Sequence, residues 1–283
     1  MSEIIYRMPT PLRQAVVVAR PSKTVKSPYV ADIMFADDPA VYQAHAPSLG
    51  CSGLVAVDSN VYVSGKSPTK EKPSPKTTHT IYGTIVYGGW RVGVNPMVAN
   101  KMVRTIIERD LDTDNFNNIK AIDQEITIGD SRVDIRLTHE DGMVSWVEVK
   151  NVPLAAYKND PDGCEDYRAA AVPAKTVGQG NTSKKIALFP DGYRKKKGDA
   201  VSPRATKHLE NLMERVAAGD RAYCVFLCQR TDATHFEPAA LDTIYSETFR
   251  KAQAAGVQIL CYVVEWSRDF STVAFKGRIP VRC

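Results

Sequence analysis

Residues 132–151 read RVDIRLTHEDGMVSWVEVKN. Two short apolar runs flank a polar turn at residues 139–142. The first run holds Val133, Ile135 and Leu137, and the second holds Trp146, Val147 and Val149. Alternation and β-branched residues predict a strand hairpin. Asp134 sits on the first strand. Glu148 and Lys150 sit on the second, two apart, so they share a face. In-register pairing would bring one aspartate, one glutamate and one lysine together at one sheet edge.

Such a trio has a chemical use. Two carboxylates make a hard-oxygen site for Mg²⁺ or Mn²⁺. A cation there polarises a phosphoryl oxygen and lowers the pKa of a bound water. A nearby ammonium orients that water or neutralises developing charge. The spacing is the D-x(n)-E-x-K pattern of the PD-(D/E)xK nucleases. That pattern is loose, because acids and lysines on exposed hairpins also produce it. The apolar context adds weight. A charged pair inside a strand carrying Trp146, Val147 and Val149 is costly unless it is paired or binds a metal.

Downstream, residues 155–183 are polar, rich in Pro and Gly, and without periodicity, as expected of a long surface insertion. A dense basic cluster follows: Lys184, Lys185, Arg194, Lys195, Lys196 and Lys197. It reads equally as a solvated face or as a surface that neutralises a phosphate backbone. Ser202–Pro203 starts a helix with Leu209, Leu212, Met213 and Val216 at helical spacing, stopping at Gly219. Arg204, Lys207 and His208 occupy its first turns, where a helix N-terminus attracts anions; taken alone, His208 reads as an ordinary helix-surface or half-buried histidine. The apolar strand AYCVFLC, a polar loop, a helix over 240–255 and the strand VQILCYVVEW complete the chain. Continuous apolar strands alternating with helices indicate a sheet buried on both faces.

Upstream, residues 12–95 look all-β, with short apolar segments separated by Pro and Gly turns, as in a small barrel or sandwich. The Pro- and Lys-rich tract at 66–76 reads as a solvated loop. Asn95–Pro96 opens a helix to about Asp110. A strand over about 122–128 carries Glu125 and leads into the hairpin. The second half therefore runs αβββαβαβ, an order that suits a restriction-endonuclease-like core.

The chain has 283 residues and a net charge of +5, which permits a nucleic-acid partner without demanding one. Six scattered cysteines with no CxxC pair argue against zinc fingers and for a reduced, cytoplasmic protein. No signal peptide or membrane-spanning run is visible.

With these segments assembled, the chain resembles the sugar fermentation stimulation protein (SfsA) family. SRVDIRL and WVEVKNVPL resemble that family's SRIDF and YVEVKSVTL. FPDG followed by SPRATKHLENL resembles its FPDA and TERGxKHLxEL, and GVNPMVAN resembles its VNTxxxN segment. RAYCVFLCQR, FEPA and AGVQILCY fall in family order. The likeness spans about residues 12–280. Three departures stand out: the family's HCPNTG appears as HAPSLG at 45–50, a helix glutamate aligns with Thr105, with Glu108 one turn on, and the insertion at 155–183 is longer than the family's linker.

The resemblance implies an α/β protein in two domains. An OB-like β-barrel over about 1–92 would hold nucleic acid, with Tyr29, Tyr42, Tyr62 and Tyr82 available for stacking. A PD-(D/E)xK nuclease-like domain over about 93–283 would cut it. By matching position, Asp134 and Glu148 become metal ligands, Lys150 the catalytic lysine and Glu125 a further acid. Lys207 and His208 match the family's KH pair facing the scissile phosphate. With Arg204 and the 194–197 cluster they would hold the backbone. The expected partner is nucleic acid, DNA before RNA, with no membrane and with self-association left open. The rival expectation is a DNA-binding regulator that keeps the fold without catalysis.

Overall fold

The computed structural model describes residues 2–47, 53–66, 76–128, 131–157, 185–190, 201–240 and 242–283. After an opening strand, β1 (Glu3–Arg7), the alternating segments of the first third form six more. These are β2 (Arg13–Ala19), β3 (Val30–Phe35), β4 (Asp38–His45), β5 (Asn60–Gly65), β6 (His79–Val86) and β7 (Trp90–Gly93). They pair in the order β4-β3-β2-β5-β6-β7, and β4 also pairs with β6, so the sheet curls back on itself. The two β4–β6 pairs cover part of the edge that β4 would otherwise expose. Val17, Ile33, Val61 and Ile81 fill its interior, fully buried.

Asn95 then starts a helical segment. Its side chain accepts the Met97 amide at 2.9 Å, and Pro96 takes the first position, where a missing amide costs nothing. One 3-10 turn leads into α1 (Ala99–Glu108). Ala99, Met102, Val103, Ile106 and Ile107 form its buried stripe. The predicted single helix is thus a short turn plus an α-helix.

The hairpin region forms β8 (Ile119–Ile128), β9 (Ser131–His139) and β10 (Val144–Val152), an antiparallel run. Beyond it lie β11 (Ala155–Tyr157), β12 (Lys185–Phe189), α2 (Pro203–Ala217), β13 (Arg221–Cys228), β14 (Ala233–Pro238), α3 (Thr243–Ala254), β15 (Gln258–Trp266) and β16 (Thr272–Arg278). The large sheet has the order β1-β16-β15-β13-β10-β9-β8, with β10, β13 and β15 parallel at its centre. Both faces are covered, as continuous apolar strands require. α1 packs with Val147, Val149, Val225 and Leu227. Helices α2 and α3 pack on the other face with Cys224, Phe226, Cys261 and Val263. Cys224, Cys228 and Cys261 are free and buried. Strands β11, β12 and β14 form a third, three-stranded sheet. Among the described residues no helix is long and apolar enough to cross a membrane.

Two features differ from the expected αβββαβαβ order. Strands β11, β12, β14 and β16 are additional, and β14 lies where the sequence reads as a polar loop. Strand β1 pairs with β16, so the opening residues join the large sheet although they fall within the span 1–92. Nothing local in either strand signals a partner from the opposite end of the chain.

The two main sheets meet at two glycines. A side-chain carbon at Gly93 would lie 1.9 Å from Gln229 Oε1 and 2.3 Å from Trp266 Nε1. One at Gly83 would lie 2.1 Å from the Phe270 ring. Gln229 fills the junction. It accepts from Trp266 Nε1 at 3.0 Å and donates to the Asn151 side chain, next to Lys150. The curled sheet is thereby fastened to the strand that carries the candidate chemistry.

Candidate active site

The β9–β10 ladder places the three residues of the motif together. Its last pair on this side is Ile135 with Val147. One step on, the strands part, and the Asp134 carboxylate takes the place of the ladder bond: its Oδ2 accepts the Val149 amide at 2.7 Å. Its Oδ1 accepts from Asn100 Nδ2 on α1, also at 2.7 Å. Strand alternation breaks here. Val133 packs into the core under α2 and α3, whereas Ile135, two residues on, packs into the core under α1.

Glu148 and Lys150 lie on the α2 side of β10, beside Cys224 and Phe226 of β13. Both are buried, 4 % and 9 % exposed, and Lys150 Nζ lies 2.5 Å from Glu148 Oε1. His208 reaches the same oxygen from α2. Arg204 Nε donates to His208 Nε2 at 3.3 Å, which leaves the ring proton on Nδ1 facing Glu148. Lys150 Nζ and His208 Nδ1, 3.1 Å apart, are two donors converging on one carboxylate oxygen. Asp242 sets the approach of α2: it accepts the Val201 amide at 2.7 Å while capping α3 through the Tyr245 amide at 3.0 Å.

The two acids respond oppositely to this setting. Burial pushes the Asp134 carboxyl up to about 6, and the nearby Glu148 charge adds to the rise. Burial also works against ionised Glu148, but Lys150 and His208 outweigh it and hold its carboxyl below the usual value. Two acids with divergent affinities for protons, side by side and largely shielded from water, are characteristic of functional sites.

The other predicted residues fall as follows. Glu125 lies across from Asp134 in the β8–β9 register, between the pairs Gln124–Ile135 and Ile126–Val133. Its side chain is turned to an ion pair with Arg132. Its backbone is left-handed, φ 58°, an unusual conformation for a strand glutamate. Arg204 and Lys207 are exposed on the first turns of α2, whereas His208 is turned inward, its side chain 10 % exposed. Lys185 is buried beside Asp232. Lys184, Arg194, Lys195, Lys196, Lys197 and residues 158–183 of the insertion lie outside the described residues. Of the tyrosines, Tyr29 is exposed, Tyr62 packs on Phe270 with ring centres 4.3 Å apart, and Tyr42 donates to Asp38 at 2.6 Å. Sequence reasoning missed Asn100 as a partner of Asp134. Its one signal was its place at the end of the GVNPMVAN segment.

Among the described residues no cluster of three or more His, Cys, Asp or Glu side chains is placed to hold a metal. The site offers two carboxylates, a donor set that suits Mg²⁺ or Mn²⁺, cations that keep several waters or phosphate oxygens. Asp134, raised by burial and by its neighbour, is the carboxylate that a positive charge would relieve. Its folded value lies above its ordinary 3.8, so protonation favours folding. That contribution is present below about pH 4 and is lost as pH rises through about 6, on the order of 3 kcal/mol in all. A divalent cation held by this carboxylate would have to displace this proton. Mn²⁺ affinity should therefore climb by up to about tenfold per pH unit toward pH 6 and level off above it. Titrating free Mn²⁺ by its paramagnetic signal between pH 5 and 8 measures this, and a flat profile would contradict it.

Comparison with known proteins gives concordant results. A family model described as "Sugar fermentation stimulation protein RE domain" matches residues 97–163 and 164–270. A sugar fermentation stimulation protein homolog of Citrifermentans bemidjiense is 31 % identical over 97 % of this chain and 99 % of its own length. One from Geobacter metallireducens is 32 % identical over 90 % of this chain and 91 % of its own. The fold resembles that of Pyrococcus furiosus SfsA, solved in complex with Ca²⁺, with a TM-score of 0.72 over the whole of both chains at 18 % identity.

Proposed function

The chain belongs to the sugar fermentation stimulation protein family, and from that footing we propose that it is a metal-dependent nuclease hydrolysing phosphodiester bonds, of DNA before RNA. We read the curled β-sheet as an OB-like nucleic-acid-binding domain and the α/β sheet as a PD-(D/E)xK core. One observation carries the reading: Asp134, Glu148 and Lys150 converge where β9 and β10 part, a half-buried carboxylate, a buried one and a buried ammonium. A protein that only bound a polyanion would gain nothing from acids placed there.

Asp134 and Glu148 would hold Mg²⁺ or Mn²⁺. The cation would supply a polarised phosphoryl oxygen and an acidified water. That the Pyrococcus furiosus relative was solved with Ca²⁺, another hard cation, supports this choice. Asn100 and the Val149 amide hold the Asp134 carboxylate in place. Lys150 is fixed by Glu148, and its ammonium orients the attacking water and offsets charge on the pentavalent phosphate. His208 keeps Glu148 aligned, and Arg204 and Lys207 at the start of α2 hold the flanking phosphates. The 194–197 cluster would extend that contact.

Binding and cutting can be tested together on labelled single- and double-stranded DNA and RNA. In EDTA, affinity should fall steeply with salt, as counterion release requires. Adding Mn²⁺ should turn binding into cutting. Salt-insensitive behaviour with turnover of small phosphate esters would point to a metabolite hydrolase instead.

A further inference from the structure

Among the described residues one buried side-chain polar atom has no hydrogen-bond partner, the hydroxyl of Tyr245. The residue is fully buried on the first turn of α3, its ring packed between Phe189 and Phe249 at 5.4 and 6.3 Å. It shares a core with Ala205 and Leu209 of α2, which bracket His208, and with Cys224 of β13. Cys224 is the cross-strand neighbour of Glu148, on the same face. Burial raises the phenol far above its ordinary value, and the next contributions come from the Cys224 thiol and the Glu148 carboxylate. Cys224 in turn feels Lys150, Glu148 and Asp134. The hydroxyl therefore lies in the layer directly behind the candidate site.

A buried hydroxyl with no acceptor is destabilising, and phenylalanine would fill the same space without that cost. The oxygen earns its place only if it acts in another state of the site. Lys150 and His208 both pair with Glu148 Oε1. A carboxylate that turns toward a cation must give up part of that pairing and find another donor. We propose that Tyr245 is a positioning residue for Glu148, its O–H donating to the carboxylate in the cation-bound state. This rests on the assignment of Glu148 as a metal ligand.

The test is Tyr245→Phe, read by Mn²⁺ affinity without substrate and by thermal unfolding in EDTA. The variant should be as stable as the wild type or more so, because it loses only an unsatisfied group. Its Mn²⁺ dissociation constant should rise about tenfold, the usual effect of losing a group that orients a ligand. Affinity within twofold of wild type, with the wild type binding Mn²⁺, would overturn the proposal while leaving the metal site standing. A destabilised variant with unchanged affinity would also overturn it, marking the hydroxyl as structural. If the wild type binds no Mn²⁺, the metal-ligand assignment fails first and this proposal falls with it.

Discussion

Asp134→Ala should abolish cleavage, lowering the rate by about a thousandfold or more, while metal-free binding to nucleic acid stays level or tightens slightly. The asymmetry follows from the charge. In the proposed complex Asp134 would be an acid facing a phosphate backbone, so its removal takes away repulsion along with one of the two carboxylates that would hold the cation. The Asn100 amide and the Val149 N–H lose their acceptor, which costs some stability but leaves the β9–β10 pairing beyond Ile135 intact. Cleavage rates under saturating substrate, set beside equilibrium binding in EDTA, separate the two effects. Lost binding with unchanged cleavage would count against the site.

Asp232→Ala should destabilise the protein by about 3–5 kcal/mol, more than any exposed ion pair would. Asp232 is the carboxylate shared by two buried cations. Arg230 donates to both its oxygens, at 2.6 and 2.7 Å, and Lys185 Nζ lies 2.8 Å away. All three side chains are at most 5 % exposed. Arg230 also donates to the Pro153 carbonyl at 3.1 Å, so the cluster ties the exits of β10 and β13 to the start of β12. Burial alone would raise the Asp232 carboxyl, but Arg230 and Lys185 outweigh it and hold it low. Its contribution is therefore present above about pH 4 and is lost only as pH falls through the depressed value. The alanine variant would leave two positive charges buried without the group they share. Urea unfolding at neutral pH gives the value, and a loss under about 1 kcal/mol would mean that water reaches the cluster.

These two sites differ in how well the sequence discloses them. The Asp134–Glu148–Lys150 trio was legible because acids and a lysine interrupt otherwise apolar strands, and the period of two fixes their common face. The helix starts at Asn95–Pro96 and Ser202–Pro203 were legible from capping chemistry. The Arg230–Asp232 pair was not: its charges sit in a stretch that reads as a polar loop, and only pairing with Lys185, forty-odd residues earlier, makes burial tolerable. Strand β14 was hidden for the same reason. Strand β1 was misplaced because strand pairing across the whole chain leaves no local trace. Glu125 was placed beside the trio, and the register agrees, but side-chain direction depends on a backbone conformation, φ 58°, that residue type does not announce. His208 reads, taken alone, as a helix-surface or half-buried histidine; it is half-buried, and α2, held by Asp242, turns it onto Glu148, a partner that nothing in the helix pattern names. Asn100 and Tyr245 look like an ordinary helix polar residue and an ordinary core aromatic. Their roles depend on what lies opposite them in the fold.

The most direct measurement sets the wild type beside Lys150→Ala on labelled single- and double-stranded DNA and RNA, in Mg²⁺, Mn²⁺ or EDTA. A nuclease of the kind proposed cuts at least one of these substrates in Mg²⁺ or Mn²⁺, stops in EDTA, and loses the activity with Lys150 while still binding. Binding without cutting under every metal, by wild type and variant alike, would contradict it and leave a nucleic-acid-binding regulator that keeps the fold.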